Sequence, residues 1–339
     1  MREIACKFFA MFAVLVLMSC GTRISTPEAG MQLPTVEAVP SVAASSTPTA
    51  QPAKVILVSP PGRGDIELLQ ATITELAEET GMVLTIVPAL EAQQVTQDVK
   101  IVILLSPMQN LPDLLAAAPQ TQFVVLSSVD LTQAGNLNVI RLQPEKQGFV
   151  AGYLSMLVAY DYRAAALLPV EEPLGTTLED AFRSGSGYYC GICASVSSPV
   201  IRFPLIARLS SASDASVWQP TVESLRANVV YAMYISPESA NPDMVSALAQ
   251  QGYILIGGQT PPQEVMPRWA ATVEYDTLGA LQEAWPALVA GDGGRVISPS
   301  LRINDINRNI LSAGRQRLVE DVMAKLEAGA VYPFTVPAQ

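Results

Sequence analysis

Residues 54–81 read KVILVSPPGRGDIELLQATITELAEETG, a short apolar run followed by a polar loop and an amphipathic segment. Val55–Val58 form a continuous apolar run, which is typical of a parallel strand covered on both faces. The next segment, Asp65–Thr80, predicts an amphipathic helix, and Gly81 stands where a helix cap belongs. The apolar residues on one face of this helix are Leu68, Leu69, Ile73 and Leu76. A buried strand followed by an amphipathic helix is the repeating unit of an α/β fold.

The alternation of strands and helices continues along the chain. Further strands are predicted at Met82–Val87, Lys100–Leu105, Phe123–Leu126, Ala164–Leu168, Leu205–Leu209, Val229–Ile235, Ile254–Ile256 and Ala270–Val273. The clearest further helices are predicted at Gln147–Ala159, Pro242–Gln251 and Gln316–Ala328. So many strands exceed what one hydrophobic core usually holds, and we therefore expect two Rossmann-like lobes with parallel sheets. The first lobe is assigned to residues 54–142 and 258–300, and the second to residues 143–257 and 301–339.

The first 20 residues have the pattern of a lipoprotein signal peptide. Arg2 and Lys7 supply positive charge, and Phe8–Met18 form an apolar run shorter than the about 20 residues that cross a bilayer. The run is followed by Ser19 and Cys20, an ending that resembles the bacterial lipobox. We therefore predict lipidation of Cys20 and anchoring at the extracytoplasmic face of the cell membrane. An ordinary signal peptide with a chance cysteine is the alternative.

Residues 21–53 predict a disordered tether between the lipid anchor and the folded part. The segment is rich in Pro, Ser, Thr and Ala, and it has almost no charge and no apolar periodicity. Such a composition cannot bury enough apolar surface to offset the entropy lost on ordering. The tether is expected to hold the folded part away from the membrane.

Composition excludes several classes of function. The net charge is -11, and no Lys or Arg run of the kind used to bind nucleic acid is present. The chain contains no histidine, which removes histidine-based triads and most zinc sites. Gly62 and Gly64 begin a dinucleotide-like pattern, but Glu67 occupies the place of its third glycine. We therefore expect a protein that is not an enzyme and that uses no cofactor or metal.

Cys190 and Cys193 have the spacing of a redox or metal motif. A metal site needs about four ligands, and after processing of the leader only these two thiols remain. A thioredoxin-type pair opens a helix directly after a strand, whereas this pair follows a helical stretch that ends near Gly187. We therefore favour a structural disulfide, as expected in an oxidising compartment.

Three stretches resemble the basic membrane protein family of lipoproteins, which have the type 1 periplasmic-binding-protein architecture. The first is Asn138–Leu142 followed by EKQGFVAGYL at 145–154, the second is Phe182 with Gly185, and the third is KLEAGAVYPFTVP at 325–337. The resemblance implies two Rossmann-like lobes, joined by three crossovers, that close over a small ligand. Known members bind nucleosides and deliver them to an ATP-driven importer. The implied partners are therefore a small-molecule ligand and an ABC transporter permease.

The chain differs from this family at two places that contact ligand. Ser59–Asp65 replaces the family's Asp–Lys–Ser–Phe–Asn type of loop after the first strand. Ser127 stands where the family has an aspartate that often pairs with a ribose. These differences motivate a second hypothesis, in which the cleft is degenerate and the protein is a surface sensor or interaction module.

Ligands in parallel α/β folds bind at the carboxyl ends of the strands. The residues predicted to lie around such a cleft are Arg63, Asp65, Ser106, Met108, Ser127, Ser128, Tyr234, Gln259 and Asp276. Their hydroxyl and amide groups both donate and accept hydrogen bonds, which suits a neutral polar ligand. The predicted function is an extracytoplasmic solute-binding lipoprotein of an ABC-type importer, with a ligand such as a nucleoside.

Overall fold

The computed structural model describes residues 52–59, 66–198 and 200–334. The predicted signal peptide, the lipidation site Cys20 and the tether up to residue 51 lie outside the described residues, as do Arg63 and Asp65. Within the described ranges, no helix has the length and apolar character needed to cross a membrane.

The first sheet has six strands, all parallel, in the order β11-β5-β4-β3-β1-β2. Its strands are β1 (Lys54–Val58), β2 (Val83–Val87), β3 (Val99–Leu104), β4 (Gln122–Ser127), β5 (Leu137–Arg141) and β11 (Val296–Ile297). The inner strands are buried almost without interruption because helices cover both faces of the sheet. One face is covered by α1 (Ile66–Glu79) and α7 (Thr277–Ala290), and the other by α2 (Leu111–Ala117).

The second sheet also has six strands, in the order β12-β10-β9-β8-β6-β7. Its strands are β6 (Ala164–Leu168), β7 (Leu205–Arg208), β8 (Ala232–Ile235), β9 (Ile254–Gly257), β10 (Trp269–Tyr275) and β12 (Leu301–Asn304). All pairs are parallel except β10 with β12. Helices α3 (Pro144–Val158), α4 (Leu174–Cys190) and α8 (Ala313–Glu327) cover one face, and α5 (Ala215–Ala227) and α6 (Pro242–Gln250) cover the other. The two sheets and their helices confirm the predicted α/β fold with two lobes.

One predicted lobe boundary is wrong. The chain was expected to return to the first lobe at residue 258, but β10 pairs with β9 in the second sheet. The return therefore follows Tyr275, and α7 is the element that packs back on the first sheet. The apolar pattern of a strand reveals that it is buried, but it does not reveal which sheet the strand joins.

Helices α3 and α4 approach so closely that glycine is required at their crossing. A Cβ atom on Gly152 would lie 2.1 Å from the carbonyl oxygen of Phe182, and one on Gly185 would lie 1.9 Å from that of Phe149. The two contacts are reciprocal, since each glycine faces the backbone of the other helix. This packing gives a physical reason for Gly152 in the first of the motifs quoted above and for Gly185 in the second.

A disulfide joins Cys190, the last residue of α4, to Cys193, with a Cα–Cα distance of 5.4 Å. The loop that follows is held by Asp161, whose carboxylate accepts hydrogen bonds from the backbone N–H groups of Val196 (2.7 Å) and Ser197 (3.1 Å). These hydrogen bonds lower the pKa of the Asp161 carboxyl. The disulfide and Asp161 together fix the segment between α4 and β7.

Replacing both Cys190 and Cys193 with alanine should lower the free energy of unfolding by about 2 kcal/mol, because the short closed loop restricts the unfolded chain only modestly. Urea denaturation with and without reductant measures the effect. The wild-type protein should lose the same amount in reductant, whereas the double variant should not respond. Alkylation of both thiols in native protein without reductant would contradict the disulfide.

Candidate functional site

The two sheets are connected three times, and the connections touch one another. They run through 142–143 after β5, through Asp276 after β10, and through 298–300 after β11. The Gln143 N–H donates to the Tyr275 hydroxyl at 3.1 Å, and that hydroxyl donates to the Gln143 carbonyl oxygen. The Asp276 N–H donates to the carbonyl oxygen of Ser300 at 2.9 Å. The first connection is thus bonded to the second, and the second to the third.

Side chains reinforce these connections. Arg302, at the start of the antiparallel strand β12, pairs with Glu274 and Asp276 at 2.9 Å each. The Gln147 amide, on the first turns of α3, donates to the carbonyl oxygen of Val273 at 2.8 Å. Both contacts lie where β10 leaves the second sheet. The connecting segments therefore form a hydrogen-bonded ribbon between the lobes.

The loops after the parallel strands lie at the carboxyl edges of the two sheets, which is where α/β proteins bind ligands. Arginines at these edges are paired with carboxylates. At the end of β5, Arg141 contacts Asp130 at 3.0 Å. At the end of β7, Arg208 contacts Glu172 and Glu179 at 2.9 Å each.

The pairing around Arg208 changes the acidity of its partners. A hydrogen bond from the Thr176 hydroxyl lowers the pKa of the Glu172 carboxyl, and Arg208 lowers it further. Burial opposes ionisation of Glu179, but hydrogen bonds from Arg208 and Arg183 outweigh that effect, so its pKa is also lowered. These carboxylates are therefore charged near neutral pH and neutralise the guanidinium group of Arg208.

The predicted residues of the first lobe that the structure describes lie at the carboxyl edge of its sheet. Ser106 is exposed, and Ser128 is half-buried. Met108 is half-buried and packs against the apolar cluster beneath α2. Ser127 is 1% exposed, and its hydroxyl donates to the Val129 carbonyl oxygen at 2.6 Å. Ser127 therefore uses its hydroxyl within its own loop.

In the second lobe, Gln259 follows β9 and is half-buried. Asp276 lies in the second connection, where its carboxylate caps α7 by accepting from the Gly279 N–H at 3.1 Å and pairs with Arg302. Its observed contacts are structural. Whether Ser106, Ser128 and Gln259 contact one ligand stays a prediction.

The structure places Tyr234 in the core of the second lobe and not in the cleft. It was expected to line the cleft, but its side chain is fully buried and stacks on Phe182 with a centroid distance of 5.7 Å. Strand β8 continues to Ile235, so Tyr234 lies one residue inside the strand and points toward α3 and α4. Burial raises the pKa of its hydroxyl well above the usual value, and that hydroxyl has no hydrogen-bond partner in the described part of the chain.

Two Tyr→Phe variants should have opposite effects on stability. Tyr234→Phe removes a buried hydroxyl without a partner and should raise the free energy of unfolding by about 1 kcal/mol. Tyr275→Phe removes the hydroxyl that joins two connections and should lower it by about 1–2 kcal/mol. Urea denaturation of both variants measures the difference. An equal loss of stability in both would mean that the Tyr234 hydroxyl is satisfied in solution.

The sequence reasoning missed the residues that organise this region, namely Arg141, Arg208, Glu274, Tyr275 and Arg302. Arg141 and Arg208 each end an apolar strand run, and that position was an available signal. Tyr275 and Arg302 gave no such signal because their partners lie far away in sequence. Their roles depend on the path of the chain between the sheets.

No protein-family model and no curated protein sequence matches the chain. Several solved structures are similar to the chain. One is an ABC transporter solute-binding protein from Aeropyrum pernix K1, with 14% identity and a TM-score of 0.62 over 85% of this chain and 94% of that one. Another is an ABC transporter solute-binding protein from Agrobacterium vitis bound to α-D-tagatopyranose, with 11% identity and a TM-score of 0.56 over 79% and 98%. A third is a transcriptional activator of the comK gene from Bacillus halodurans, with 11% identity and a TM-score of 0.61 over 83% and 99%.

At these identities the likeness establishes the fold. The chain has the two-lobed architecture of the periplasmic-binding-protein type, as the sequence predicted. Proteins named as transporters' binding components and a protein named as a transcriptional activator share it. The fold is therefore compatible with more than one role, and the choice between roles rests on the site and on the predicted leader sequence.

Proposed function

We propose that this chain is a solute-binding lipoprotein of an ABC-type importer. It holds a small polar ligand between its two lobes at the extracytoplasmic face of the membrane. The observation that carries the proposal is the ribbon of three connections between two sheets whose carboxyl edges carry the loops. Such a ribbon suits closure of the lobes on a ligand. Binding and release are the whole of the proposed chemistry, with no cofactor and no catalytic group.

The charges at the carboxyl edges favour a neutral ligand. Arg141, Arg208 and Arg302 already have carboxylate partners. An ionic ligand would have to break such a pair in a closed cleft, and an unpaired buried charge costs several kcal/mol. The hydroxyl and amide groups of Ser106, Ser128 and Gln259 suit a ligand rich in hydroxyl groups. Sugars fit this description, and nucleosides fit both it and the resemblance to the basic membrane proteins.

Thermal unfolding with a panel of pentoses, hexoses, nucleosides and amino acids tests the proposal. A ligand at about 100 times its Kd should stabilise the protein by about 2.7 kcal/mol. Small-angle scattering should then show a smaller radius of gyration as the lobes close. If no compound in the panel raises the Tm and the radius does not change, import of these solutes is the wrong function.

A matched pair of variants locates the site. Ser106→Trp places a bulky group at the carboxyl edge of the first sheet and should abolish ligand stabilisation. Ser198→Trp is the control, because Ser198 is exposed in the segment between α4 and β7, at the opposite edge of its sheet. Equal loss of binding in both variants would place the ligand elsewhere.

The second candidate is a surface sensor or interaction module with a degenerate cleft. The observation that favours it is Ser127, whose hydroxyl is used by its own loop where the family has a ligand-pairing aspartate. This candidate expects lobes that do not move with any solute and capture of a partner other than a permease. Crosslinking in intact cells, followed by identification of the partner, separates the two candidates.

A further inference from the structure

A pocket of about 270 Å³ lies beside the loop that follows β9, on the face of the second sheet covered by α5 and α6. It is bounded by the start of α6, by the loop 257–262 and by Trp269 at the start of β10. The residues that line it are Ile235, Ala240, Pro242, Val245, Gly257, Gln259, Thr260, Pro261, Pro262 and Trp269. Most of these side chains are apolar, and three are prolines.

One wall of the pocket is held rigidly. The indole N–H of Trp269 donates to the Thr272 hydroxyl at 2.9 Å, and that hydroxyl donates to the Asp305 carboxylate at 2.6 Å. Gly257 lets the indole lie against β9, because a Cβ there would be 2.2 Å from the ring. These contacts hold the Trp269 ring in place on both sides without a ligand.

The lining also defines the chemistry of a ligand. None of the described residues that line the pocket carries a charge, which favours a neutral ligand. The Gln259 amide is half-buried and makes no side-chain hydrogen bond within the described part of the chain. An apolar pocket with a few free polar groups binds ligands that have an apolar body and one polar substituent. A dry cavity of about 150 Å³ in another protein holds benzene, so the present volume suffices for a substituted ring.

We propose that this pocket binds a neutral aromatic compound of one ring that carries a hydroxyl group, with the hydroxyl hydrogen-bonded to the Gln259 amide. The pocket shares Gln259 with the residues predicted to line the cleft, but its lining residues all belong to the second lobe, so this site does not require solute binding between the lobes. It lies next to the connections, since a Cβ on Gly258 would be 2.8 Å from the amide nitrogen of Gln147 and 2.5 Å from Pro237. A ligand here contacts the same loop that borders the connections between the lobes.

Fluorine NMR with 4-fluorophenol and fluorobenzene as probes tests this site. Wild-type protein should broaden the 4-fluorophenol signal in a saturable way, with a Kd on the order of 1 mM or tighter. Fluorobenzene should bind about three- to tenfold more weakly because it lacks the hydroxyl. No saturable broadening, or equal affinity for the two probes, would overturn the proposal.

Three variants test whether 4-fluorophenol binds in this pocket. Ala240→Leu fills the pocket and should weaken binding of 4-fluorophenol at least about tenfold. Ala247→Leu is the control, since Ala247 lies on α6, which borders the pocket, but lines a different crevice between α5 and α6. Gln259→Leu should keep binding of fluorobenzene and remove the preference for 4-fluorophenol. Loss of binding in Ala247→Leu alone would assign the probe to the other crevice, and an unchanged preference in Gln259→Leu would exclude the proposed hydrogen bond.

Discussion

Replacing Gly152 with alanine is expected to lower the free energy of unfolding by roughly 3 kcal/mol or more. The new Cβ would lie 2.1 Å from the carbonyl oxygen of Phe182, and the atom it meets is backbone, which has no rotamer to change. Helices α3 and α4 would have to separate, and both contribute fully buried residues to the core of the second lobe. Gly185→Ala should cost a similar amount because its Cβ meets the carbonyl oxygen of Phe149 at 1.9 Å.

Gly187 supplies the matched control for these variants. It lies in α4 two residues after Gly185, and a Cβ at this position would meet no atom within 4 Å. Gly187→Ala should therefore raise the free energy of unfolding by about 0.5–1 kcal/mol through helix propensity alone. Urea denaturation of the three variants gives the comparison. A Gly152→Ala protein as stable as Gly187→Ala would show that α3 and α4 leave room for a Cβ atom at their crossing.

Cys20→Ala is expected to release the protein from the membrane or to leave an unprocessed precursor. A lipobox cysteine carries several acyl chains, and anchoring of this kind is firm, whereas one chain binds only marginally. No helix among the described residues is long and apolar enough to replace the anchor. Incorporation of labelled palmitate should cease, and about nine-tenths or more of any processed protein should leave the detergent phase on phase separation.

Cys6 is the control for the lipidation prediction. It lies in the same leader but near its charged start, and the lipobox pattern does not include it. Cys6→Ala should leave processing, palmitate incorporation and membrane association unchanged. A processed Cys20→Ala protein that stays fully in the membrane fraction would refute lipidation at this position.

The sequence predicted the elements of the fold closely. Buried parallel strands are continuous apolar runs, so Ala164–Leu168 was predicted with the observed bounds, and α6 was predicted to within one residue. Short strands with few apolar residues, such as β11 and β12, were not predicted because two to four residues carry no detectable period. Sheet membership is a long-range property, and this explains the error at residue 258.

The candidate site was less predictable than the fold. A position near the end of a strand does not tell whether a side chain points into the cleft or under the helices, since alternate residues face opposite sides of the sheet. Tyr234 shows this, because the adjacent Ile235 packs on the opposite face. The contacts of Arg302 with Glu274 and Asp276 span more than 20 residues, and no local pattern encodes them.

Bonding between neighbouring connections limits the ways in which the two lobes can move. Three connections without bonds between them would allow the lobes to bend, twist and slide past one another. Tyr275 ties the first connection to the second, and Arg302 and the Asp276 N–H tie the second to the third. A ribbon linked across its width bends easily about one axis but resists shear in its own plane. If the lobes close on a ligand as proposed, these bonds favour rotation about one axis, so that the two carboxyl edges would meet in the same alignment at each closure.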